Sequence, residues 1–569
     1  MSPELSIERQ LRRIYGDRSA SAFERLMALL TRFEVKASSK FERFSEKDIV
    51  FITYGDTLRC SGERPLQTLH RVCAANLKQA VSTIHLLPFF PFSSDDGFSV
   101  IDYERVDPSI GMWEDISRLG GDFDLMFDFV LNHISAQSPW FCNYLKGLDG
   151  YGELAIEVDP HTDLSAVVRP RTHPLLTPFT KVPDQRVFLW TTFSADQIDL
   201  NYKSIDVLCR MVEVLLFYVE KGARFIRMDA VAYVWKEVGT DSIHRPQAHA
   251  LVKLFRAVLD KMAPDVVIIT ETNVPHDENI RYFGNGFDEA QVVYNFSLPP
   301  LLAHTFLTSD TEYLSRWASQ LATPSSETTF LNFTASHDGI GIRPLEGILS
   351  EAQIQDLIRH ARRCGGDVSS KRNADGSSSP YELNITYVDM MAQEGQGGSR
   401  IHAKRFLASQ AIALSLPGVP GVYVHSLLGS RNWHDGVLQT GRLRTINRQP
   451  LDIDQLQREL DDSSSFRSLV FRDYSALLRM RRKQPAFHPN AVFEVLELGT
   501  GFFGVRRSCE TQTIYALTSV SEHGQTASLT GYVSQDELTD VLTGRACPAD
   551  AIELAPFQTV WLDLPSNQR

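Results

Sequence analysis

The segment GARFIRMDAVAY, residues 222–233, carries Arg227 and Asp229 at the end of an apolar, strand-like run. Two further segments have the same design: VVIITETNVP (residues 266–275) reaches Glu271, and FLNFTASHDGIG (residues 330–341) reaches Asp338. Barrel enzymes carry their chemistry where strands end, so the three carboxyl groups are predicted to share one site. A single such Asp would more often cap a helix or complete an ion pair, but three matched contexts favour catalysis.

Eight strand-like runs alternate with helical patterns along the chain. They span residues 49–55, 82–88, 124–133, 223–229, 266–272, 291–296, 329–335 and 418–424. This rhythm predicts an α/β fold, a (β/α)8 TIM barrel, built from residues 1–133, 198–338 and 381–487. We expect an inserted domain after the third strand at 134–197, a second insertion after the seventh strand at 339–380, and a C-terminal antiparallel β domain at 488–569.

Bulk properties narrow the class of protein. The 569-residue chain has a formal net charge of −13, which argues against nucleic acid and anionic membranes as partners. Seven cysteines without paired spacing indicate reduced thiols and a cytoplasmic location. The charged N-terminus does not resemble a secretory signal, and the most apolar stretch is broken by prolines, so no membrane span is expected.

The chemistry of paired carboxyl groups points to glycosidic bonds. Two such groups about 5 to 5.5 Å apart divide the nucleophile and acid/base roles and retain configuration at the sugar. Asp229 would attack and Glu271 would shuttle the proton. Arg227, two residues before Asp229, would face the same pocket and keep the nucleophile ionised. Neutral His133 and His337, at strand ends, could donate hydrogen bonds to sugar hydroxyls.

These motifs resemble a known group of enzymes. DFVLNH (residues 128–133), RMD (227–229), Glu271 and HD (337–338) are similar to the four motif regions of the α-amylase superfamily. The resemblance implies that Asp229 is the nucleophile, Glu271 the acid/base and Asp338 the transition-state stabiliser.

A closer resemblance covers nearly the whole chain. The segments at 86–103, 167–179, 190–202 and 282–291 resemble the sucrose phosphorylase subfamily. They are most similar to its branch of sucrose 6′-phosphate, glucosylglycerate and glucosylglycerol phosphorylases. The resemblance implies an enzyme whose partners are an α-glucoside and inorganic phosphate, and which releases α-glucose 1-phosphate.

The same resemblance assigns roles around the sugar. Asp96 would hold the glucose 4-hydroxyl together with Arg448, and Phe98 would pack on the ring. Without the resemblance, the Asp-Asp-Gly segment is equally well interpreted as a turn with solvated charges. Arg171, the second arginine of VVRPRTHP, would contact phosphate, and Tyr233 is a further phosphate-contact candidate. The alternative is that the two arginines of this segment, Arg169 and Arg171, are surface charges that keep the protein in solution.

The acceptor is the least defined part of the prediction. Thr172 and His173, and also Asp241 and Ser242, stand where relatives of this branch have other residues. An anionic acceptor calls for a dedicated cation, so the uncharged Thr172 favours glucosylglycerol over glucosylglycerate. Loop residues that could also face the acceptor are Arg343, Glu346, Arg431 and His434.

Several alternatives stay open at this stage. Sucrose 6′-phosphate phosphorylase, sucrose phosphorylase, a hydrolase or transglycosylase, and a non-catalytic carbohydrate-binding protein would share much of this pattern. Some α-amylase relatives hold calcium near a residue equivalent to Asn132, but no cluster of oxygen ligands is evident there. We therefore predict neither a metal nor an organic cofactor.

Overall fold

Eight parallel strands close into a barrel, in the order in which they occur along the chain. The structure is a computed structural model that describes residues 2–36, 42–373 and 376–564. The barrel strands are β1 (Val50–Thr53), β2 (Thr83–Leu86), β3 (Asp124–Phe129), β4 (Ala223–Met228), β5 (Val267–Thr270), β6 (Val292–Tyr294), β7 (Thr329–Phe333) and β8 (Val419–Tyr423). Each lies within one of the eight predicted runs, so the predicted (β/α)8 barrel is confirmed.

The barrel strands read as continuous apolar runs because both of their faces are covered. Every residue of β1, β5 and β7 is buried. The register matters for the site, since Thr270 of β5 pairs with Met228 of β4. Glu271 and Asp229 therefore leave the barrel side by side, on strands that lie about 4.8 Å apart.

Helices surround the barrel and connect its strands. Two helices precede β1, at Pro3–Tyr15 and Ser19–Leu30. Those between barrel strands are Pro65–Asn76, Trp113–Gly120, Pro139–Leu145, Ile205–Glu220, Pro246–Met262, His276–Asn279, Leu298–Thr308, Glu312–Ala318, Glu351–Arg363, Tyr387–Met390 and Arg400–Ser415. After β8 come Val424–Leu427, His434–Thr440, Ile453–Asp461 and Phe466–Arg481. Short 3-10 helices span Gly16–Arg18, Asp95–Gly97, Val231–Tyr233, Ile280–Phe283, Arg343–Leu345, Leu443–Asn447 and Pro485–Phe487.

Two long excursions leave the edge of the barrel at which the three acidic residues emerge. Between β3 and β4, strand His133–Ser135 pairs with Gln197–Asp199, and Leu176–Lys181 forms a hairpin with Gln185–Trp190. Between β7 and β8, a three-stranded antiparallel sheet joins Ile340–Gly341, Ser378–Asn384 and Asp367–Arg372. Leu58–Arg59 and Leu451–Asp452 form a separate pair of short strands.

The C-terminal part is an antiparallel β domain, as predicted. A six-stranded sheet has the order Val492–Leu496, Phe502–Ser508, Thr513–Ser519, Thr559–Asp563, Glu537–Asp540 and Ala546–Pro548. A second pair joins Gln525–Ala527 to Ile552–Leu554. Trp561, fully buried, packs its ring 4.8 Å from that of Phe487. All seven cysteines have free thiols.

Among the residues that the structure describes, no helix is both long enough and apolar enough to cross a membrane.

Candidate active site

The three predicted catalytic carboxyl groups line one cavity of about 760 Å³. Asp229 directly follows β4, Glu271 directly follows β5, and Asp338 lies in the loop after β7. Of the other predicted site residues, this cavity is also lined by Phe98, His133, Arg171, Tyr233 and His337. The remaining predicted residues lie behind or beside the cavity.

Arg227 joins the two carboxyl groups that leave β4 and β5. Its Nη1 lies 2.9 Å from Asp229 Oδ1, and its Nη2 lies 3.9 Å from Glu271 Oε2. The guanidinium is only 2% exposed and also contacts Asp128, whose other oxygen lies 2.8 Å from His85 Nε2. One buried cation therefore holds both carboxyl groups at the same end of the cavity.

The carboxyl groups differ in their protonation. Burial raises the pKa of Glu271 to about 7, opposed by Arg227 and reinforced by Asp229 and Asp338. Burial also raises the pKa of Asp229, although the contact with Arg227 counteracts that shift. Burial acts on Asp338 in the same sense, yet its pKa is lowered because Arg444, His337 and Arg448 surround it. A raised pKa at Glu271 beside a lowered pKa at Asp338 is typical of a proton donor placed near a carboxylate that stays ionised.

Arg444 is a site residue that the sequence analysis missed. Its Nη1 lies 2.5 Å from Asp338 Oδ1, and its Nε donates to Glu382 Oε1 at 2.9 Å. Arg448, which was predicted, lies farther from Asp338, at 3.8 Å, and donates to the backbone oxygen of His337. The only sequence signal for Arg444 is its place one turn before Arg448.

Phe98 and His337 form one wall of the cavity. Their rings stack with centroids 4.8 Å apart and planes 7° apart. His133 lies 2.9 Å from the backbone oxygen of Phe98 through Nε2, while its Nδ1 faces the amide of Asn132 at 3.1 Å. Because both ring nitrogens have protein partners, His133 positions the loop that carries Phe98 as well as lining the cavity.

Of the two adjacent aspartates in the Asp-Asp-Gly turn, only Asp95 lines the cavity that contains the three carboxyl groups. Asp95 lines the cavity and accepts a hydrogen bond from Gln197 Nε2 at 3.0 Å. Asp96, the predicted sugar ligand, instead lines two neighbouring cavities, where it pairs with Arg448 and lies 2.7 Å from Arg442 Nη1. Both aspartates have positive φ, and at Gly97 a Cβ atom would lie 2.8 Å from the backbone oxygen of Pro88. This turn therefore determines which carboxylate reaches the site.

The predicted phosphate and acceptor residues divide between this cavity and two adjoining ones. Arg171 lines the first, with its guanidinium 5.8 Å from the ring centres of Phe193 and Tyr381. Thr172 and His173 line a second cavity, which Arg171 also reaches. Arg343 lines a third, next to Tyr233. Arg431, by contrast, pairs with Asp389, and neither Arg431 nor His434 lines any of the three.

Two more residues that line these cavities were not predicted. Tyr381 lines all three cavities, and its hydroxyl accepts from Asn273 Nδ2 at 3.5 Å. Asn273 Oδ1 is buried without a hydrogen-bond partner among the described residues and also borders the catalytic cavity. Asn273 could have been found from its position two residues after Glu271, but nothing in the sequence marks Tyr381.

A lysine ammonium occupies the region around Asn132. Lys236 Nζ donates to Asn132 Oδ1 at 2.5 Å and lies 2.8 Å from Asp199 Oδ2, with the side chain buried. The positive charge beside these oxygens is thus supplied by the chain itself. Within residues 2–36, 42–373 and 376–564, no group of three or more His, Cys, Asp or Glu side chains is placed to hold a metal ion.

The chain is similar to known proteins over most of its length. The pattern of the α-amylase catalytic domain matches residues 77–339. The chain is 45% identical to the glucosylglycerate phosphorylase of Allomeiothermus silvanus, over 99% of both chains. It is 30% identical to the glucosylglycerol phosphorylase of Marinobacter adhaerens, over 74% of this chain and 85% of the relative.

A solved structure shows the same fold. The sucrose 6F-phosphate phosphorylase of Thermoanaerobacter thermosaccharolyticum superposes with a TM-score of 0.76 at 22% identity, covering 91% of this chain and 99% of the other. Fold, motif positions and sequence identity lead to one assignment: the chain belongs to the α-amylase family, in the branch that contains the glucosylglycerate phosphorylases.

Proposed function

We propose that this chain is a retaining α-glucoside phosphorylase, a hexosyltransferase that converts glucosylglycerate and inorganic phosphate into α-glucose 1-phosphate and glycerate. The observation that carries the proposal is the pairing of Asp229 and Glu271 on one buried guanidinium, in a cavity that also contains Arg171. The relatives of high identity support the choice of glucoside.

In the first half of the proposed cycle, Asp229 attacks the anomeric carbon of the glucosyl group. The bond from that carbon to the acceptor oxygen breaks, its electron pair stays with the oxygen, and the oxygen takes the proton of Glu271. A β-glucosyl ester of Asp229 and free glycerate result. The raised pKa of Glu271, about 7, keeps this proton available near neutral pH.

In the second half, an oxygen of hydrogen phosphate attacks the anomeric carbon from the face that glycerate has left. The ester bond breaks, its electron pair returns to Asp229, and the phosphate proton passes to Glu271, which restores the starting enzyme. Two inversions give net retention. Arg171 is the cation we assign to phosphate, because it lines the same cavity as Asp229.

The remaining side chains hold the sugar and its developing charge. Asp338, kept ionised by Arg444, stabilises positive charge at the anomeric carbon. Asp95 is placed to accept hydrogen bonds from sugar hydroxyls, and Phe98 covers an apolar face of the ring. Asp96 and Arg448 act behind Asp95 as an ion pair that orders the turn.

The acceptor is proposed to be glycerate rather than glycerol. The uncharged Thr172 favoured glucosylglycerol, but it lies in an adjoining cavity. Arg171, which lines the same cavity as Asp229 and Glu271, is a cation that suits an anionic acceptor. Sequence identity supports the same acceptor, because the chain is 45% identical to a glucosylglycerate phosphorylase and 30% identical to a glucosylglycerol phosphorylase.

The acceptor assay tests this proposal. The enzyme is offered α-glucose 1-phosphate with glycerate, glycerol, fructose or fructose 6-phosphate, and phosphate release is measured for each. We expect glycerate to give a kcat/KM at least about tenfold above the others, as one charge-assisted contact provides. Preference for another acceptor would redirect the specificity, and phosphate release that needs no acceptor would favour a hydrolase.

The pH dependence of the first half-reaction follows from Glu271. Only the protonated form can act as the acid, and its fraction falls as the pH rises through the pKa of about 7. We expect kcat/KM for glucosylglycerate, measured at fixed phosphate, to fall about tenfold per pH unit on the alkaline side. A constant kcat/KM from pH 6 to pH 9 would contradict the assignment of Glu271 as the acid.

We place the reaction in the cytoplasm. The seven free thiols support a reducing compartment.

A further inference from the structure

A cavity of about 990 Å³ beside the catalytic cavity is strongly basic. Four cationic side chains line it, and none of its described lining residues is Asp or Glu. Two of the cations belong to the strand Asp367–Arg372, one to the excursion between β3 and β4, and one to the loop after β7: Lys371, Arg372, Arg169 and Arg343.

This basic cavity adjoins the catalytic site through two tyrosines. Tyr233 and Tyr381 line both cavities. Tyr381 also contacts Asn273, two residues from the proposed acid Glu271. The two rings are therefore a wall that the basic cavity shares with the catalytic cavity.

Carboxylates only partly balance these charges. Glu278 Oε2 lies 3.6 Å from Arg343 Nη2, and Glu346 Oε1 lies 4.0 Å from Lys371 Nζ, but neither carboxylate lines the cavity. Burial, and then Arg343, lower the pKa of Lys371. An anion placed among these cations would relieve both their repulsion and their lost hydration.

The charge of the whole chain makes a local basic region useful. At −13 the protein repels small anions, whereas a concave region of one sign concentrates counter-ions and raises their rate of capture. Both co-substrates of the proposed reaction, phosphate and the glycerate portion of the glucoside, are oxyanions. Arg372 is exposed, so solvent reaches the cavity at this side chain.

We propose that the cavity lined by Arg169, Arg343, Lys371 and Arg372 is an anteroom that captures small oxyanions before they pass Tyr233 and Tyr381 into the catalytic site. The inference rests on the proposed phosphorylase function and extends it. Phosphate and glycerate are the two oxyanions that the anteroom would serve, and they are separated by experiment.

The test neutralises the two cations of the strand and leaves the predicted site residues intact. In a Lys371→Met, Arg372→Gln double variant, we expect KM for phosphate to rise about tenfold at low ionic strength. The difference from wild type should shrink to less than about twofold in 0.5 M salt, because screening removes long-range attraction. The same comparison with glycerate, in the synthesis direction, shows whether both anions use the anteroom.

Two controls keep the outcome interpretable. Arg186→Gln removes a charge from an exposed position of the hairpin strand Gln185–Trp190, outside the three cavities, and should leave KM unchanged. Arg372→Gln alone, at an exposed position, serves if the double variant folds poorly, and should give a smaller rise in KM of the same salt dependence.

Calorimetric titration of inorganic phosphate into the protein without glucoside gives a readout independent of turnover. Weaker phosphate binding by the double variant supports the anteroom even if the acceptor were misassigned. Equal KM values for both anions in wild type and double variant, or a rise in KM that salt does not diminish, would overturn it. A wild type that forms no glucose 1-phosphate would instead refute the proposed function.

Discussion

Replacement of Asp229 by Asn is expected to lower the turnover of glucosylglycerate by at least about 10⁴-fold. An amide of the same shape cannot form the glucosyl ester. Asp229 is the carboxylate that directly follows β4, and no second one stands at that position to replace it. The fold should persist, because Arg227 keeps its contact with Asp128 and because burial already disfavours the charge of Asp229. Formation of glucose 1-phosphate measures the loss.

The matched control for this change is Asp206→Asn. Asp206 pairs with Arg25 at the surface, with about half of its side chain exposed, 46%, so this variant should keep wild-type turnover. Circular dichroism and the thermal unfolding midpoint verify that both variants fold. If Asp229→Asn retained more than about one per cent of wild-type turnover, the nucleophile would have to be another residue.

Replacement of Glu271 by Gln is expected to affect substrates unequally. With glucosylglycerate, whose departing oxygen needs a proton, the rate of the first half-reaction should fall about 10²- to 10⁴-fold. With α-glucosyl fluoride, whose leaving group departs without protonation, the rate should fall less than about tenfold. Glu271 Oε2 accepts from the backbone N–H of Ala230 at 3.1 Å, a contact that a glutamine oxygen can keep.

The comparison of the two donors isolates the acid role of Glu271. Single-turnover measurements with each donor give the rate of the first half-reaction directly. A loss of equal size for both donors would indicate that Glu271 acts by positioning or by charge, and not as the proton donor. An unchanged rate with glucosylglycerate would exclude it from the first step altogether.

The barrel and its acidic residues could be predicted because they depend on local pattern. Apolar, β-branched runs indicate buried strands, and a carboxylate that directly follows such a run can only emerge at one edge of the barrel. Asp229 and Glu271 are of this kind. The two strands are neighbours in the barrel, and their register places Glu271 beside Asp229.

The details of the loops could not be predicted in this way. Periodicity does not apply within a turn, so the choice between Asp95 and Asp96 depends on two residues with positive φ. Arg444 reaches Asp338 from a 3-10 helix beyond β8, and Tyr381 arrives with the strand Ser378–Asn384. Such contacts arise from the packing of segments distant in sequence.

The acceptor shows the same limit. Thr172 is a single uncharged residue whose position beside the site was unknown from the sequence. Arg343 and Lys371 come from the other excursion, and only the folded chain brings them into a cavity next to the catalytic one. The charge around the site is thus a property of the assembled loops.

Trapping of the covalent intermediate tests the central claim most directly. Glu271→Gln, incubated with α-glucosyl fluoride and without phosphate, should accumulate one glucosyl group per chain, because ester formation needs no acid. Mass spectrometry of its peptides should place the added hexose on Asp229. Added phosphate should release it as α-glucose 1-phosphate, because an anion can attack the ester without giving its proton to a base. A hexose on another residue, or release of β-glucose 1-phosphate, would contradict the double displacement at Asp229.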